Sequence, residues 1–283
     1  MERVYVEITN ICNLACSFCP GTRRAPRRMS CKEFALVCDR IAPHTKEIFL
    51  HLMGEPLTHP ELDELLTIAE QHGLTVNVTT NGTLLKSRGS VLLKHAKNIH
   101  KVSISLHSDE ANPQTRQESG HLEDIIQFAK SASACGIFAI LRLWNLDSNE
   151  RAGLNDNNDA ILASLHAHYP DEWQRRHSGW RIGERAFLEC AEIFTWPTES
   201  TADPRECGRC YGLVRQIGIL ADGTVVPCCL DSEGEMALGN IFVSPLCDIL
   251  TSERATRMRE GFAGLKMTEP LCRRCTYARR FTT

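Results

Sequence analysis

The sequence predicts an α/β protein in which a partial (β/α)6 TIM-like barrel is followed by a small cysteine-rich α+β domain. Three observations carry this expectation. Apolar runs rich in Val, Ile, Leu and Phe alternate with helix-spaced segments six times up to about residue 195. The pattern then breaks into Pro, Gly and paired Cys, and cysteines cluster towards the two ends of the chain.

Val4 to Thr9 reads as the first strand, and a cysteine loop leaves its C-terminal end. Ser30-Cys31-Lys32-Glu33 fits a capping box, so a helix opens there and runs to about Ile41. Glu47 to Met53 is apolar and strand-like. Pro60 in a first turn, Leu62, Leu65, Leu66 and Ala69 at helical spacing, and Gly73 as a stop mark the next helix. Leu74 to Thr80 is a strand, Ser90 to Lys97 a helix and Lys101 to His107 a strand. His121 to about Cys135 is helical, ending before Gly136, and Ile137 to Leu146 is an apolar strand. The polar, Gly- and Asn-rich stretch Asp147 to Asp159 is a loop before a helix ending near His168. Ala186 to Phe194 is the sixth strand, and the sheet is expected to stop near Thr195. Beyond Trp196-Pro197, Ala221-Asp222-Gly223-Thr224 signals a β-hairpin, which gives two domains, 1–195 and 196–283.

The 283 residues are 42% hydrophobic and 24% charged, which suits a globular core and excludes disordered, collagen-like and coiled-coil chains. With 32 Lys+Arg against 35 Asp+Glu the net charge is −3, so bulk electrostatics offers nothing to nucleic acid. No apolar run approaches the roughly 20 residues that cross a bilayer. Met1-Glu2-Arg3 leads straight into a strand, without a signal-peptide core, so a cytoplasmic protein is expected. The 14 cysteines are then better used as reduced metal-binding thiolates than as disulfides.

Cys12-x3-Cys16-x2-Cys19 puts three thiolates in one short loop, enough for three corners of a cubane that normally takes four protein ligands. Cys31 lies inside the capped helix and reads as a small buried residue, so one iron is left open. In the last third, Cys210, Cys228, Cys272 and Cys275 offer four thiolates if Cys207 and Cys229 are set aside. That number suits a second 4Fe-4S cluster or a zinc ribbon. Cys207 remains an alternative first ligand.

The first loop resembles that of the radical S-adenosylmethionine superfamily, with Phe18 at the aromatic position before the third Cys. The resemblance implies a 4Fe-4S cluster whose open iron chelates S-adenosylmethionine. Gly54-Glu55-Pro56 is similar to the family's Gly-Gly-Glu-Pro motif, with Met53 in place of the first Gly. It implies backbone contacts to the methionyl ammonium, Glu55 closing the turn. Asn81, Ser105, Arg142 and Asn145, at the ends of the third to fifth strands, are the positions that bind the cofactor in relatives. An ion pair for Arg142 and a turn for Asn145 are the plainer readings. The C-terminal cysteines resemble the short auxiliary-cluster extension called twitch, related to the longer SPASM form. One auxiliary 4Fe-4S cluster is therefore expected.

The implied reaction is reductive cleavage of S-adenosylmethionine to a 5'-deoxyadenosyl radical, which abstracts hydrogen from a small molecule and leads to bond cleavage or oxidation. The short stretch before Cys12 favours that substrate class. Narrower alternatives are a lyase releasing 7-deazaguanine from queuine, a dehydrogenase of a polar alcohol, and a peptide-modifying enzyme. A non-catalytic iron-sulfur or zinc protein leaves the Gly54-Glu55-Pro56 pattern unexplained. His51, His107, Trp144, Glu189 and Cys190 are candidates to line the substrate pocket. The loop Arg23-Arg24-Ala25-Pro26-Arg27-Arg28 reads as a solvated charge run or as a docking edge for an acidic electron donor such as flavodoxin.

Overall fold

The computed structural model describes residues 1–108, 112, 120–146, 157–192, 195–198 and 202–281. In chain order the elements are β1 (Arg3–Val6), α1 (Cys31–Ile41), β2 (Glu47–Leu50), α2 (Leu62–Gln71), β3 (Thr75–Thr80), α3 (Leu85–Lys94), β4 (Ile99–Ser105), α4 (His121–Ala134) and β5 (Phe138–Leu146). They continue with α5 (Asn158–His168), β6 (Gln174–Arg176), β7 (Gly179–Arg181), β8 (Ala186–Glu192), β9 (Gln216–Ile219), β10 (Thr224–Val226), β11 (Gly239–Asn240), α6 (Leu246–Leu250), α7 (Glu253–Ala263) and α8 (Pro270–Arg274). Most of the loop expected at Asp147 to Asp159, and the end of the strand expected to reach Phe194, lie outside the described residues.

Three elements differ from expectation for local reasons. The helix placed at Ser90 to Lys97 begins at Leu85, because Leu85, Gly89 and Leu92 form its buried stripe. A Cβ on Gly89 would stand 2.8 Å from the Phe128 ring, so the bare glycine admits that ring. The strand placed at Lys101 to His107 sits two residues earlier, and Leu106–Ser108 turn into a 3-10 helix. The hairpin β6–β7 was not expected. It is a short, polar pair of strands whose pairing with β8 replaces a hydrophobic signal.

By contact the chain divides into two compact units that cut across the sequence boundary at residue 195. The first comprises Met1–Asn13, Cys19–Thr75 and Phe194–Thr283. Its strands are ordered β11-β10-β9-β1-β2. β1 pairs in parallel with β2 and also with β9, from Arg3↔Gln216 to Val6↔Ile219, so the expectation that the sheet stops near Thr195 is corrected. The apolar run Gln216–Ile219 protects what would otherwise be an open edge of β1. The expected hairpin is present: β9 and β10 are antiparallel across a turn in which Gly223 takes φ +83°. On α1, Phe34, Val37, Cys38 and Ile41 are buried, as are Leu62, Leu65, Leu66 and Ala69 on α2, and the two helices pack together. The capping box of Ser30 and Glu33 is formed as the sequence implies.

Just past β1, Glu7 is 1% exposed. Its carboxylate accepts both Arg24 guanidinium nitrogens at 2.8 and 2.7 Å, and the amides of Met53 and Ala221, each at 3.1 Å. Arg24 Nε donates to the Ser232 carbonyl at 2.8 Å. Arg27 donates to the Ala221 carbonyl at 2.8 Å and pairs with Glu33. The basic loop is thus only partly a solvated run, because Arg24 and Arg27 are turned inward by buried acceptors. Arg23 stays outside, with its side chain 87% exposed.

The second unit comprises Leu14–Phe18 and Val76–Ile193, with strands ordered β3-β4-β5-β8-β7-β6. β3, β4, β5 and β8 are parallel, and β8, β7 and β6 antiparallel. Ile125, Ile126, Ala129 and Ala132 make the buried stripe of α4, which packs on β5.

Removing one partner of a buried, hydrogen-bonded ion pair strands the other charge, at a cost of about 3–5 kcal/mol. Arg24→Ala should therefore lower unfolding free energy by about that amount in chemical denaturation, whereas Arg23→Ala should change it by less than about 0.5 kcal/mol.

Candidate functional site

The approach to Cys12 is fixed by short-range hydrogen bonds. Thr9 Oγ1 donates to the Arg27 carbonyl at 3.0 Å and accepts the Ile11 amide at 3.1 Å. Asn10 donates from its amide to the Ala25 carbonyl at 2.9 Å and accepts the Arg27 amide at 2.7 Å. The turn after β2 lies directly against this stretch. Gly54 has φ +76°, and a Cβ there would stand 2.3 Å from the Thr9 carbonyl oxygen, so glycine alone fits. The Glu55 amide donates to the Ile11 carbonyl at 3.0 Å, while its buried carboxylate accepts the Leu57 amide at 3.0 Å. Glu55 therefore closes the turn, as the sequence suggested, and Pro56 opens the 3-10 turn that follows. Cys12 and Cys19 are exposed and Cys16 is half-buried, and none of the three is in a disulfide.

In the second unit, Asn112 donates from Nδ2 to Cys16 Sγ at 2.9 Å. The Phe18 ring lies 4.9 Å from the His107 ring. His107 is 7% exposed with Nδ1 3.2 Å from the Arg142 carbonyl oxygen. Burial lowers its pKa from 6.5 to about 4; the contact with the Arg142 carbonyl opposes that shift and the Arg142 charge adds to it. The strand register sets Ser105 beside Arg142 and Arg142 beside Glu189. Arg142 Nε is 3.5 Å from Glu189 Oε2, and its guanidinium stacks 4.4 Å from the centre of the Trp144 ring. The row adjoins a cavity of about 320 Å³ lined by Lys101, Phe138, Ile140, Trp180, Phe187 and Glu189 among others. The fold thus gathers Phe18, Ser105, His107, Arg142, Trp144 and Glu189.

Other expected residues are placed elsewhere. Asn145 is 2% exposed and exchanges hydrogen bonds with Asn158 at 2.9 and 3.2 Å, a tie to the start of α5. Asn81 accepts the Thr83 amide and hydroxyl, closing its own turn. Cys190 follows Glu189 on β8, and successive strand residues point to opposite faces, so the two do not share one lining. His51 belongs to the first unit, edge-on to Tyr5 at 5.0 Å beside an apolar cluster of Tyr5, Phe49, Leu52, Leu220 and Val226. Cys31 is half-exposed rather than buried. Desolvation, aided by Glu61 and Glu64, pushes its thiol up to about 11. Sequence reasoning passed over Asn112, whose polar surroundings give no signal. It also passed over Glu7, an acid within an apolar strand whose obvious complement is a nearby arginine.

The C-terminal thiols lie near one another. Cys210, Cys228, Cys272 and Cys275 each keep part of their surface exposed, yet burial pushes every one of these thiols up. Neighbouring sulfurs add to this: Cys275 acts on Cys210, Cys229 and then Cys210 and Cys272 act on Cys228, and Cys210 and Cys275 act on Cys272. Amides of Gly212 and Ala278 donate to the sulfurs of Cys210 and Cys275, at 3.3 and 3.4 Å. Cys207 is exposed, its backbone bridging to Lys266, and Cys229 packs against the Tyr5 cluster. Among the described residues the single trio of potential ligand atoms all within 4.8 Å is Cys31, Glu61 and Glu64. Four thiols in one region, two of them accepting backbone amides, fit the thiolate ligands of an iron-sulfur cluster or of a zinc ion.

A neutral His107 has a testable consequence. The unfolded chain takes up a proton near 6.5 and the folded ring only near 4, so stability present above 6.5 is lost as pH falls through that window, by up to about 3 kcal/mol. His107→Gln should flatten the dependence of unfolding free energy on pH between those values.

Residues 6–147, half of the chain, match the radical SAM superfamily, and residues 207–276 match the SPASM iron-sulfur cluster-binding domain. Among curated proteins, the sporulation killing factor maturation protein SkfB of Bacillus subtilis (strain 168) is 25% identical over 280 residues, covering 90% of this chain and 66% of that protein. The chain therefore spans just under two thirds of that relative's length. BtrN in complex with AdoMet and 2-DOIA superposes with a TM-score of 0.58 at 18% identity, covering 98% of this chain and 93% of that one. Streptococcus suis SuiB bound to precursor peptide SuiA superposes with a TM-score of 0.57 at 15% identity, covering 97% and 70%. The first match takes in the cysteine loop, the Gly54 turn and the Ser105–Arg142 register, the second takes in the C-terminal thiols, and on these grounds the chain belongs to the radical SAM superfamily, whose cofactors are a 4Fe-4S cluster and S-adenosylmethionine, with an iron-sulfur cluster-binding domain in its last third.

Proposed function

We propose that this chain is an enzyme that cleaves S-adenosylmethionine reductively and abstracts hydrogen from a peptide. The observation that carries the chemistry is the loop of three reduced cysteines entered through a strand exit that the Gly54-Glu55-Pro56 turn locks in place. In this reading Cys12, Cys16 and Cys19 hold the first cluster, and the backbone of Gly54 to Pro56 meets the methionyl ammonium. Held there, the cluster would supply the electron for reductive cleavage of S-adenosylmethionine. Phe18 stacks on the adenine, and Ser105 and Arg142 orient the rest of the cofactor. Glu189 holds Arg142 in place, and the neutral, buried His107 offers a hydrogen-bonding ring without a charge that would need solvation.

The peptide reading is supported by likeness to SkfB, a maturation protein, along 90% of the chain. A small polar substrate is the second reading, favoured by the size of the cavity beside Glu189, about 320 Å³. It includes dehydrogenation of an alcohol and release of 7-deazaguanine from queuine. Residues 196–283 form the auxiliary domain, in which Cys210, Cys228, Cys272 and Cys275 hold a second cluster that takes an electron from the substrate or tunes the site. Arg28 and Arg23, the latter beside Glu233, are the exposed arginines that the basic loop offers to an acidic electron donor such as flavodoxin.

Anaerobic reconstitution should load about eight irons per chain, and changing Cys12, Cys16 and Cys19 together to Ala should halve that and abolish 5'-deoxyadenosine formation under dithionite. Continued cleavage in the triple variant would falsify the reading. Zinc in the remaining half would revise only the second site. Product mass after incubation with short peptides or with polar alcohols and queuine separates the two substrate classes.

Ligand choice at the second site has its own test. Cys210→Ala should lose about four irons and Cys207→Ala none. The reverse pattern would make Cys207 the ligand.

A further inference from the structure

We infer that Asn112 is a positioning residue for the first cluster: its carboxamide fixes the Cys16 segment and, by donating to the Cys16 sulfur, raises the reduction potential of the cluster held there. The inference rests on the reading of Cys16 as an iron ligand. Asn112 is 5% exposed, and three hydrogen bonds determine which way its amide faces. The Ala15 amide can only donate, so the atom 2.9 Å from it is the side-chain oxygen. The Ser108 carbonyl can only accept, so the atom 2.7 Å from it is the side-chain nitrogen. Both partners agree, and the second hydrogen of that nitrogen is left to Cys16 Sγ at 2.9 Å.

A thiol sulfur is a weak acceptor, and the same donor binds more strongly to the anionic sulfur of a metal-bound cysteine. A donor aimed at a ligand sulfur stabilises the more negative state of the cluster, and hydrogen bonds to sulfur are among the factors that set cluster potentials. Because Asn112 also holds the Ala15 amide, one side chain both places the sulfur and sets its electron density. A reaction that begins with electron transfer onto this cluster is sensitive to both.

The test is potentiometric. Asn112→Ala and Asn112→Asp are reconstituted anaerobically, their iron is counted, and the first cluster's signal, identified as the one missing from the Cys12, Cys16 and Cys19 triple variant, is titrated by electron paramagnetic resonance. The aspartate keeps an acceptor for Ala15 but removes the donors to both the sulfur and the Ser108 carbonyl and adds a charge, so the neutral Asn112→Ala reads the loss of the donor without that charge. Both variants should keep the iron and shift to more negative potential, with about a tenfold lower ratio of reduced to oxidised cluster at fixed poise, or about 59 mV. A wild-type potential in both variants overturns the inference. Loss of first-site iron from both, with the fold intact by circular dichroism, also overturns it, since Asn112 would then be a structural brace. A separate variant, Cys16→Ala, that still loads all first-site iron would instead overturn the ligand reading on which the inference rests.

Discussion

A single buried carboxylate organises the first unit. Glu7 has to find partners because an ionised acid without them is too costly to bury, and it finds four: two guanidinium nitrogens of Arg24 and the amides of Met53 and Ala221. These partners come from the loop after the first three cysteines, the turn after β2 and the end of β9. The Glu7 carboxylate therefore draws together segments more than 200 residues apart in sequence. The Gly54 turn, held on one side by Met53, then presses its bare backbone against Thr9, and the chain enters the cysteine loop from a rigid base.

In the second unit the same economy of charge is seen at the row Ser105, Arg142 and Glu189. Arg142 is the only one of the gathered residues that carries a positive charge, and it is opposed by Glu189 and stacked on Trp144. His107 is kept neutral by burial, so the wall beside Phe18 adds hydrogen-bonding capacity without adding charge.

The C-terminal thiols show how a metal would be linked to folding. Burial pushes all four up, and neighbouring sulfurs add to this at Cys210, Cys228 and Cys272, so without metal they are neutral sulfurs crowded into one region. Iron reverses this by taking them as thiolates, and its binding energy becomes folding energy for the loops that present them. Asp231 stiffens one of those loops by accepting the amides of Glu235 and Met236, which sets Met236 against Cys272.

The sequence by itself determined the alternation of strands and helices, the capping box at Ser30, the turn at Gly223 and the Cys12-Cys16-Cys19 loop, because periodicity, caps and ligand spacing are local properties of the chain. It also marked His107 beside the end of a strand, while Phe18 and Arg142 were marked only through the resemblance of their motifs to the family. Only the tertiary structure decided that β9 pairs with β1, that Arg24 and Arg27 turn inward and that Asn145 is tied to Asn158. It also decided that Asn112 donates to Cys16. Each of these depends on a partner distant in sequence, and a polar side chain carries no local mark of which buried acceptor or donor it will meet.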